Sequence, residues 1–226
     1  MKRTPEPELM NEASQARAYA EADFQEPNQL FLDLFTEHFP SFDGKTVVDL
    51  GCGPADIAIE FALQHPDARV IGVDGAQSML EFGHNRIAKT GLAGQVELRC
   101  LYLEPETVKH ICPSSGADAV ISNSLLHHLA TPDTLWQAIN FLGRKGAKIM
   151  VMDLTRPDST SKAAGIVQQY ASDEADILQE DFYNSLLAAY TVDEVRGQLD
   201  AYGLQHLKVS RPSDRHLLIS GVLGSL

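Results

Sequence analysis

The run Thr46-Val47-Val48-Asp49-Leu50-Gly51-Cys52-Gly53-Pro54-Ala55-Asp56 constrains this chain more than any other feature. Lys45 to Leu50 is short, β-branched and bounded by polar residues, which reads as a buried strand. Gly51 and Gly53 have no Cβ, so the backbone can turn sharply there and a ligand can come close to it. From Ala55 to Leu63 the apolar residues Ile57, Ile59, Phe61, Ala62 and Leu63 outline a helix packed on a sheet. A strand, a glycine turn and a helix in that order present free backbone N–H groups at a helix start, where electron-rich ligand atoms are held. A second strand, Arg69 to Val73, runs into Asp74. It stands about twenty residues beyond the glycines, where an acidic side chain holds ribose hydroxyls in dinucleotide-type folds. The two segments together can hold an adenosine-bearing cofactor.

Two readings of that cofactor compete. A nicotinamide dehydrogenase calls for G-x-G-x-x-G, but Asp56 occupies the third glycine position, and a carboxylate there repels a pyrophosphate. Asp49, ahead of the first glycine, also has no part in the dinucleotide pattern. A ligand with a cationic head and no phosphate suits both carboxylates. S-adenosylmethionine, with an ammonium, a sulfonium and a ribose, is such a ligand.

The segment Asp49-Leu50-Gly51-Cys52-Gly53-Pro54 resembles the first motif of the class I S-adenosylmethionine-dependent methyltransferases, and Gly72-Val73-Asp74 resembles their second. Asp118-Ala119-Val120-Ile121-Ser122-Asn123-Ser124-Leu125-Leu126-His127-His128-Leu129 is similar to their fourth strand and its loop, in the form common among small-molecule enzymes. The likeness runs from about Gln15 to the C-terminus. One glycine turn is weak evidence, whereas three motifs in order are specific.

The resemblance implies roles at matching positions. Gly51 and Gly53 pass under the methionine moiety, Asp49 supports the turn or the amino group, and Asp74 accepts the ribose hydroxyls. Asn123 sits near the reactive methyl. Cys52, Gly75, Met79, Leu101, Tyr102 and Ser124 complete the implied cofactor set. One departure stands out: after the third strand the family often has a Gly-Asp pair for the adenine amine, and this chain has Cys100-Leu101-Tyr102. The adenine contact then falls to backbone, Tyr102 or Glu104.

Alternation of elements predicts an α/β fold. Strands are expected at 46–50, 69–74, 95–100, 118–123 and 146–153, with helices at 55–65, 76–90, 105–112 and 132–143 between them. Strands near 205–210 and 215–223 are expected to add an antiparallel edge, giving a Rossmann-like, doubly wound, mostly parallel seven-stranded sheet with a helical lid. Asp49, Asp74, Asn123 and Asp153 all fall at strand ends, where such sheets bind ligands, which argues for one common site. Helices from Glu12 to Glu21 and Asn28 to His38, and a helical insertion at 157–190, are expected to form the lid over a core of 44–156 and 191–226. Thr191 followed by Glu194 is a capping box opening the helix that runs to Tyr202. Residues 1–12, rich in Pro and Glu, read as loose. The whole is expected to be a single domain.

Composition narrows the class. A net charge of −13 carries no basic track for nucleic acid, since Arg144-Lys145 with Lys148 and Arg211 with Arg215 are its only basic concentrations. No apolar run is long enough for a membrane span, and no secretory leader is legible. Cys52, Cys100 and Cys112 form no even disulfide framework and read as small buried hydrophobes in a reducing cytoplasm. The expected partner is a small molecule, and a homodimer is an open option.

Acceptor-side residues are harder to read. His127 and His128 are adjacent, a poor arrangement for converging on a metal, so no metal is expected; His128 is a candidate general base or a packed loop residue. Tyr19 and Phe24 lie in the segment that closes over the cofactor in similar enzymes, and Tyr170 and Tyr183 lie in the insertion. His128, Tyr19 and Tyr170 are the catalytic candidates. Arg156 pairs either with Asp153 or with an anionic substrate, the structural pair being the simpler reading; Asp214-Arg215-His216 reads as a turn or strand start. The expected function is methyl transfer to a small molecule. Transfer of another group from a modified sulfonium and a non-catalytic cofactor-binding regulator are the alternatives.

Overall fold

The computed structural model describes residues 1–6, 13–22 and 24–224. Among them, seven strands form one sheet in the order β3-β2-β1-β4-β5-β7-β6. The strands are β1 (Thr46–Leu50), β2 (Arg69–Asp74), β3 (Val96–Cys100), β4 (Ala117–Asn123), β5 (Gly143–Leu154), β6 (Lys208–Ser210) and β7 (His216–Val222). The first five are parallel; β7 runs antiparallel to β5, and β6 antiparallel to β7 at the edge. This is the expected α/β architecture. The direction of strand addition reverses between β1 and β4, which opens a crevice above their carboxyl ends.

Alternation along the strands feeds two cores. Val47, Val70, Met150 and Met152 face α2 (Gln25–His38), α3 (Asp56–Gln64) and α4 (Gln77–Thr90), where Phe31, Phe35 and Phe61 are fully buried. Val48, Leu50, Ile71 and Val151 face α6 (Asp133–Leu142) and α9 (Val192–Ala201) around Trp136. The indole of Trp136 is satisfied where it is buried, donating from Nε1 to Gln198 at 3.0 Å. With a short α5 (Pro105–Val108), these helices cover both faces, so central strands read as near-continuous apolar runs.

Several local expectations change: α2 starts at Gln25 and not Asn28, α5 stops at Val108 and not 112, and β6 starts at Lys208 and not 205. The insertion is two helices, α7 (Thr160–Tyr170) and α8 (Asp176–Ala188), because polar Ser172 to Glu174 interrupts the apolar period. The two pack on each other around Ala163, Val167, Leu186 and Ala189. Strand β5 starts three residues early, since Gly143 pairs with Ala117 through an irregularity in the ladder. Residues 1–6 are tied down rather than loose: Thr4 donates its N–H to Leu187 O at 3.0 Å, and Arg3 reaches three backbone carbonyls. Glu12, the expected start of the first helix, lies outside the described residues; α1 spans Ala13–Glu21. The capping box forms as expected, Thr191 accepting from Glu194 N–H and the Glu194 side chain accepting from Thr191 N–H.

Candidate active site

The glycine turn is built by the ends of β1 and β2. The N–H groups of Gly51 and Cys52 both donate to Val73 O, at 2.8 and 3.0 Å, which pins the turn to the neighbouring strand. Gly51 (φ 72°) and Gly53 (φ 51°) are left-handed, and so are Ala55 (φ 67°), which caps α3, and Ser124 (φ 57°), just past β4. Side-chain-bearing residues held in that region are strained, and such strain concentrates at ligand sites. Here Ser124 borders one cavity, and Ala55 stands in the chain between Pro54 and Asp56, which border it too.

That cavity, about 320 Å³, lies above the carboxyl ends of β1, β2 and β4. Its walls include every residue of the expected cofactor set: Asp49, Gly51, Cys52, Gly53, Asp74, Gly75, Met79, Leu101, Tyr102, Asn123 and Ser124. Tyr19, Phe24 and Asn28 close one side from the N-terminal helices, and His128 with Leu129 closes another. The Tyr19 and Phe24 rings lie in contact, centroids 4.4 Å apart and planes tilted by 33°. Burial and the surrounding aspartates push the Tyr19 hydroxyl up to about 12, so it is neutral at ordinary pH.

The electrostatics are those of a cation site. Asp49 is 1 % exposed, and burial, reinforced by Asp74, pushes its carboxyl up to about 7. Its Oδ2 is buried without a hydrogen-bond partner, and so is Oδ1 of Asn123. Asp74 is better provided: Oδ2 accepts from Gly53 N–H at 2.8 Å and Oδ1 from Ala76 N–H at 2.7 Å. Burial still raises its carboxyl above the usual range, against the pull of those amides. Each oxygen keeps a lone pair for a further donor. A Cβ at Gly53 meets no protein atom within 4 Å, so the turn has free space beside it. Unpaired acceptors at Asp49 and Asn123, a carboxylate with spare lone pairs and an open glycine turn fit a ligand with an ammonium, a sulfonium and ribose hydroxyls.

Asp56 carries less of that argument than its position suggests. It lines the cavity, but Arg86 of α4 forms an ion pair with it, and Arg86 also donates to Ala20 O at 2.5 Å. The charge that opposes a pyrophosphate is therefore largely compensated, and Asp49 and Asp74 set the sign of the site. Tyr102 and Glu104, the options for the adenine edge, both line the cavity.

The other candidates fall elsewhere. Tyr170 is absent from the cavity walls; its hydroxyl donates to Asp214 at 2.9 Å while Arg215 lies 3.5 Å over its ring. Tyr183 packs in the small core between α7 and α8. Asp153 does not border the cavity either, because its carboxylate is taken by His127 Nδ1 at 2.5 Å and by Leu154 N–H at 2.6 Å. Arg156 pairs with Glu194 at 2.6 Å and not with Asp153. Its guanidinium also donates to Ala189 O at 2.9 Å, a structural role. Of the three cysteines expected to be buried, only Cys52 is; Cys100 is exposed at the end of β3, where it pairs with Asp74 of β2, and Cys112 is half-buried.

One residue that sequence reasoning missed stands beside the histidines. Glu6 places Oε1 3.0 Å from His128 Nδ1 and 3.5 Å from His127 Nε2, and it accepts from the Ser185 hydroxyl at 3.1 Å. The adjacent rings, tilted by 38° with centroids 4.1 Å apart, thus reach one carboxylate. Nothing in the local sequence of either segment signals this, since the partners are 121 and 122 positions apart in the chain.

A family model described as "Methyltransferase domain" matches residues 41–195. A ubiquinone biosynthesis O-methyltransferase of Chromobacterium violaceum is 30% identical over 132 residues, 58% of this chain and 53% of that protein. A ribosomal protein L11 methyltransferase of Aeromonas salmonicida is 39% identical over 82 residues, 36% of this chain and 25% of that protein. The chain thus spans about half or less of the length of these relatives. Among solved structures, the plantazolicin methyltransferase BamL, in complex with a triazolic desmethylPZN analog and SAH, superposes with a TM-score of 0.74 at 13% identity, covering 94% of this chain and 91% of that one. A putative S-adenosyl-L-methionine-dependent methyltransferase of Methanococcus maripaludis gives 0.69 at 17% identity, covering 99% and 98%. These structural likenesses share the fold. With the family model spanning well over half of its residues, the chain belongs to the methyltransferase-domain family.

Proposed function

We propose that this protein transfers the methyl group of S-adenosylmethionine to a small-molecule acceptor. The observation that carries the reading is the buried Asp49 carboxylate, which has an unpartnered oxygen on the wall of the cavity beneath the left-handed glycine turn. An unpaired buried acceptor is costly, and the ammonium of an amino-acid moiety relieves that cost. Asp74 is the acceptor for the ribose hydroxyls, Met79 and Leu101 form apolar walls, and Tyr102 or Glu104 meets the adenine edge. The relative named as a ubiquinone biosynthesis O-methyltransferase supports a small acceptor, whereas the one named as a ribosomal protein L11 methyltransferase points to a protein, and each name speaks for its own bearer.

When bound, the cofactor supplies an electrophilic methyl group on a good leaving group. The chain has to orient the acceptor in line with it, exclude water and receive a proton where the acceptor loses one. Tyr19 and Phe24 serve the first two tasks from α1 and the start of α2, as the N-terminal part of a lid. The insertion 157–190 supports that lid from outside, because α8 packs against α1. His128 borders the acceptor space and serves as the proton acceptor. Tyr170, tied to Asp214, has a packing role in this arrangement.

Among the described residues no helix is long and apolar enough to cross a membrane. The cysteines are free, which accords with work in the cytoplasm as a single domain, and the net charge of −13 accords with a partner other than nucleic acid. Calorimetric titration with S-adenosylmethionine, S-adenosylhomocysteine and NAD tests the reading. Binding of the first two and turnover on a metabolite extract are expected. Binding of NAD alone overturns it, and binding without turnover on any extract makes the protein a cofactor-responsive regulator.

A further inference from the structure

The segment Met1–Glu6 crosses the His127–Leu129 turn and is held at several points. Arg3 donates to His127 O at 3.0 Å, to Leu129 O at 3.3 Å and to Ala188 O at 2.5 Å, with its guanidinium 4.2 Å over the Tyr190 ring. Buried Arg156 donates to Met1 O at 3.2 Å, and the Ser185 hydroxyl of α8 donates to Glu6. These contacts deliver the Glu6 carboxylate, 11 % exposed, to the two imidazoles. Glu6 and His127 stand behind the cavity wall; His128 forms part of it.

The charges form a chain. His127 lies between Asp153 at Nδ1 and Glu6 at Nε2, so as an imidazolium it presents an N–H to each carboxylate. Burial opposes that charge, but Asp153 and then Glu6 outweigh it and hold His127 above its ordinary value. His128 is held below its ordinary value by burial and by His127, with Glu6 and Asp153 pulling the other way. It is neutral at ordinary pH and able to accept a proton. Its Nδ1 is buried and not aligned for a hydrogen bond, although Glu6 Oε1 is 3.0 Å away. Such contacts tighten when the ring takes up charge.

We propose that Glu6 is the positioning residue for His128: the carboxylate holds Nδ1–H, leaving Nε2 to take the proton from a hydroxyl, thiol or amine acceptor. This rests on the methyl-transfer reading above and narrows its substrate class to protic heteroatoms. The acceptor heteroatom forms a bond to the methyl carbon as the carbon–sulfur bond breaks, the bonding pair stays on sulfur, and the displaced proton moves to Nε2. The new imidazolium then faces Glu6, while His127, Asp153, Arg3 and, across the cavity, Asp74 complete the charges around it. The N-terminal segment is thereby part of the active site.

The test is a histidine titration by NMR on protein labelled at the imidazole carbons, saturated with S-adenosylhomocysteine, comparing the parent chain with Glu6→Gln. The His128 resonance is expected to titrate at lower pH in Glu6→Gln, with S-adenosylhomocysteine affinity retained. Glu6→Asp, whose shorter side chain draws the carboxylate back, is expected to move it the same way by less, and serves if Glu6→Gln fails to fold. An unchanged His128 titration in either folded variant overturns the proposal. So does a Zn²⁺ titration that abolishes both histidine transitions in the parent chain but not in the Glu6 variant, which makes the three side chains metal ligands. Failure to bind S-adenosylhomocysteine in the parent chain instead refutes the methyl-transfer reading, and is scored separately by calorimetry.

Discussion

Asp74, at the end of the second strand, accepts a hydrogen bond from the Gly53 amide at 2.8 Å, so one carboxylate both closes the glycine turn and faces the cavity. The turn and the proposed ribose contact therefore depend on one side chain. Asp74→Ala is expected to weaken S-adenosylhomocysteine binding by about 1–3 kcal/mol, the scale of buried hydrogen bonds left unmade. Calorimetric titration of the folded variant measures it, and an unchanged affinity refutes the ribose assignment.

Asp49 makes stability and binding depend on pH in opposite senses. Its folded-state carboxyl titrates at about 7, above the ordinary 3.8, so between those values the unfolded chain has lost the proton that the folded chain keeps. Without ligand, this group costs stability progressively as pH rises through that window, by at most about 1.4 kcal/mol per pH unit. Cofactor ammonium favours the ionised form, so binding tightens over the same rise. In Asp49→Asn both dependences are expected to flatten. Thermal denaturation and calorimetry across that pH range, parent against variant, show whether they do.

Gly51 and Gly53 are both left-handed, yet they are expected to fail differently. A Cβ at Gly51 comes within 2.8 Å of Leu125 Cβ and Cδ1, so Gly51→Ala adds a clash to backbone strain and should cost about 2–4 kcal/mol of stability. At Gly53 an added Cβ meets nothing, so Gly53→Ala should cost only the backbone term, about 1–2 kcal/mol. It should cost more in binding, because it adds a methyl group beside the ligand. Denaturant unfolding and cofactor titration of the two variants separate these effects. Equal stability losses would contradict the geometry.

Much of this molecule is legible along the chain because its parts are local. A β-branched run, a glycine turn and an apolar helical period are each set by neighbouring residues, so β1, the turn and α3 could be read within a few positions. The same holds for Thr191 and Glu194, three residues apart in one capping box. The cavity wall was readable because parallel strands align their ends: Asp49, Asp74 and Asn123 share a cavity by register. Asp153 shares the strand-end position and still leaves the cavity, since a buried carboxylate takes the strongest donor in reach, here His127. Position on a strand predicts an end, and partner choice decides what the end does.

What the sequence by itself determined, then, is the sheet, its ligand-binding edge and the kind of ligand that edge favours, because these follow from periodicity and turn chemistry over short spans. Only the tertiary structure decided the partners of the charged side chains: Arg86 compensating Asp56, Arg156 pairing with Glu194, Tyr170 tied to Asp214, and Glu6 brought to His127 and His128. Those pairings join distant segments and carry no local periodicity. They are chosen by burial, which makes an unpaired charge costly and leaves each group to the counter-charge that folding brings within reach.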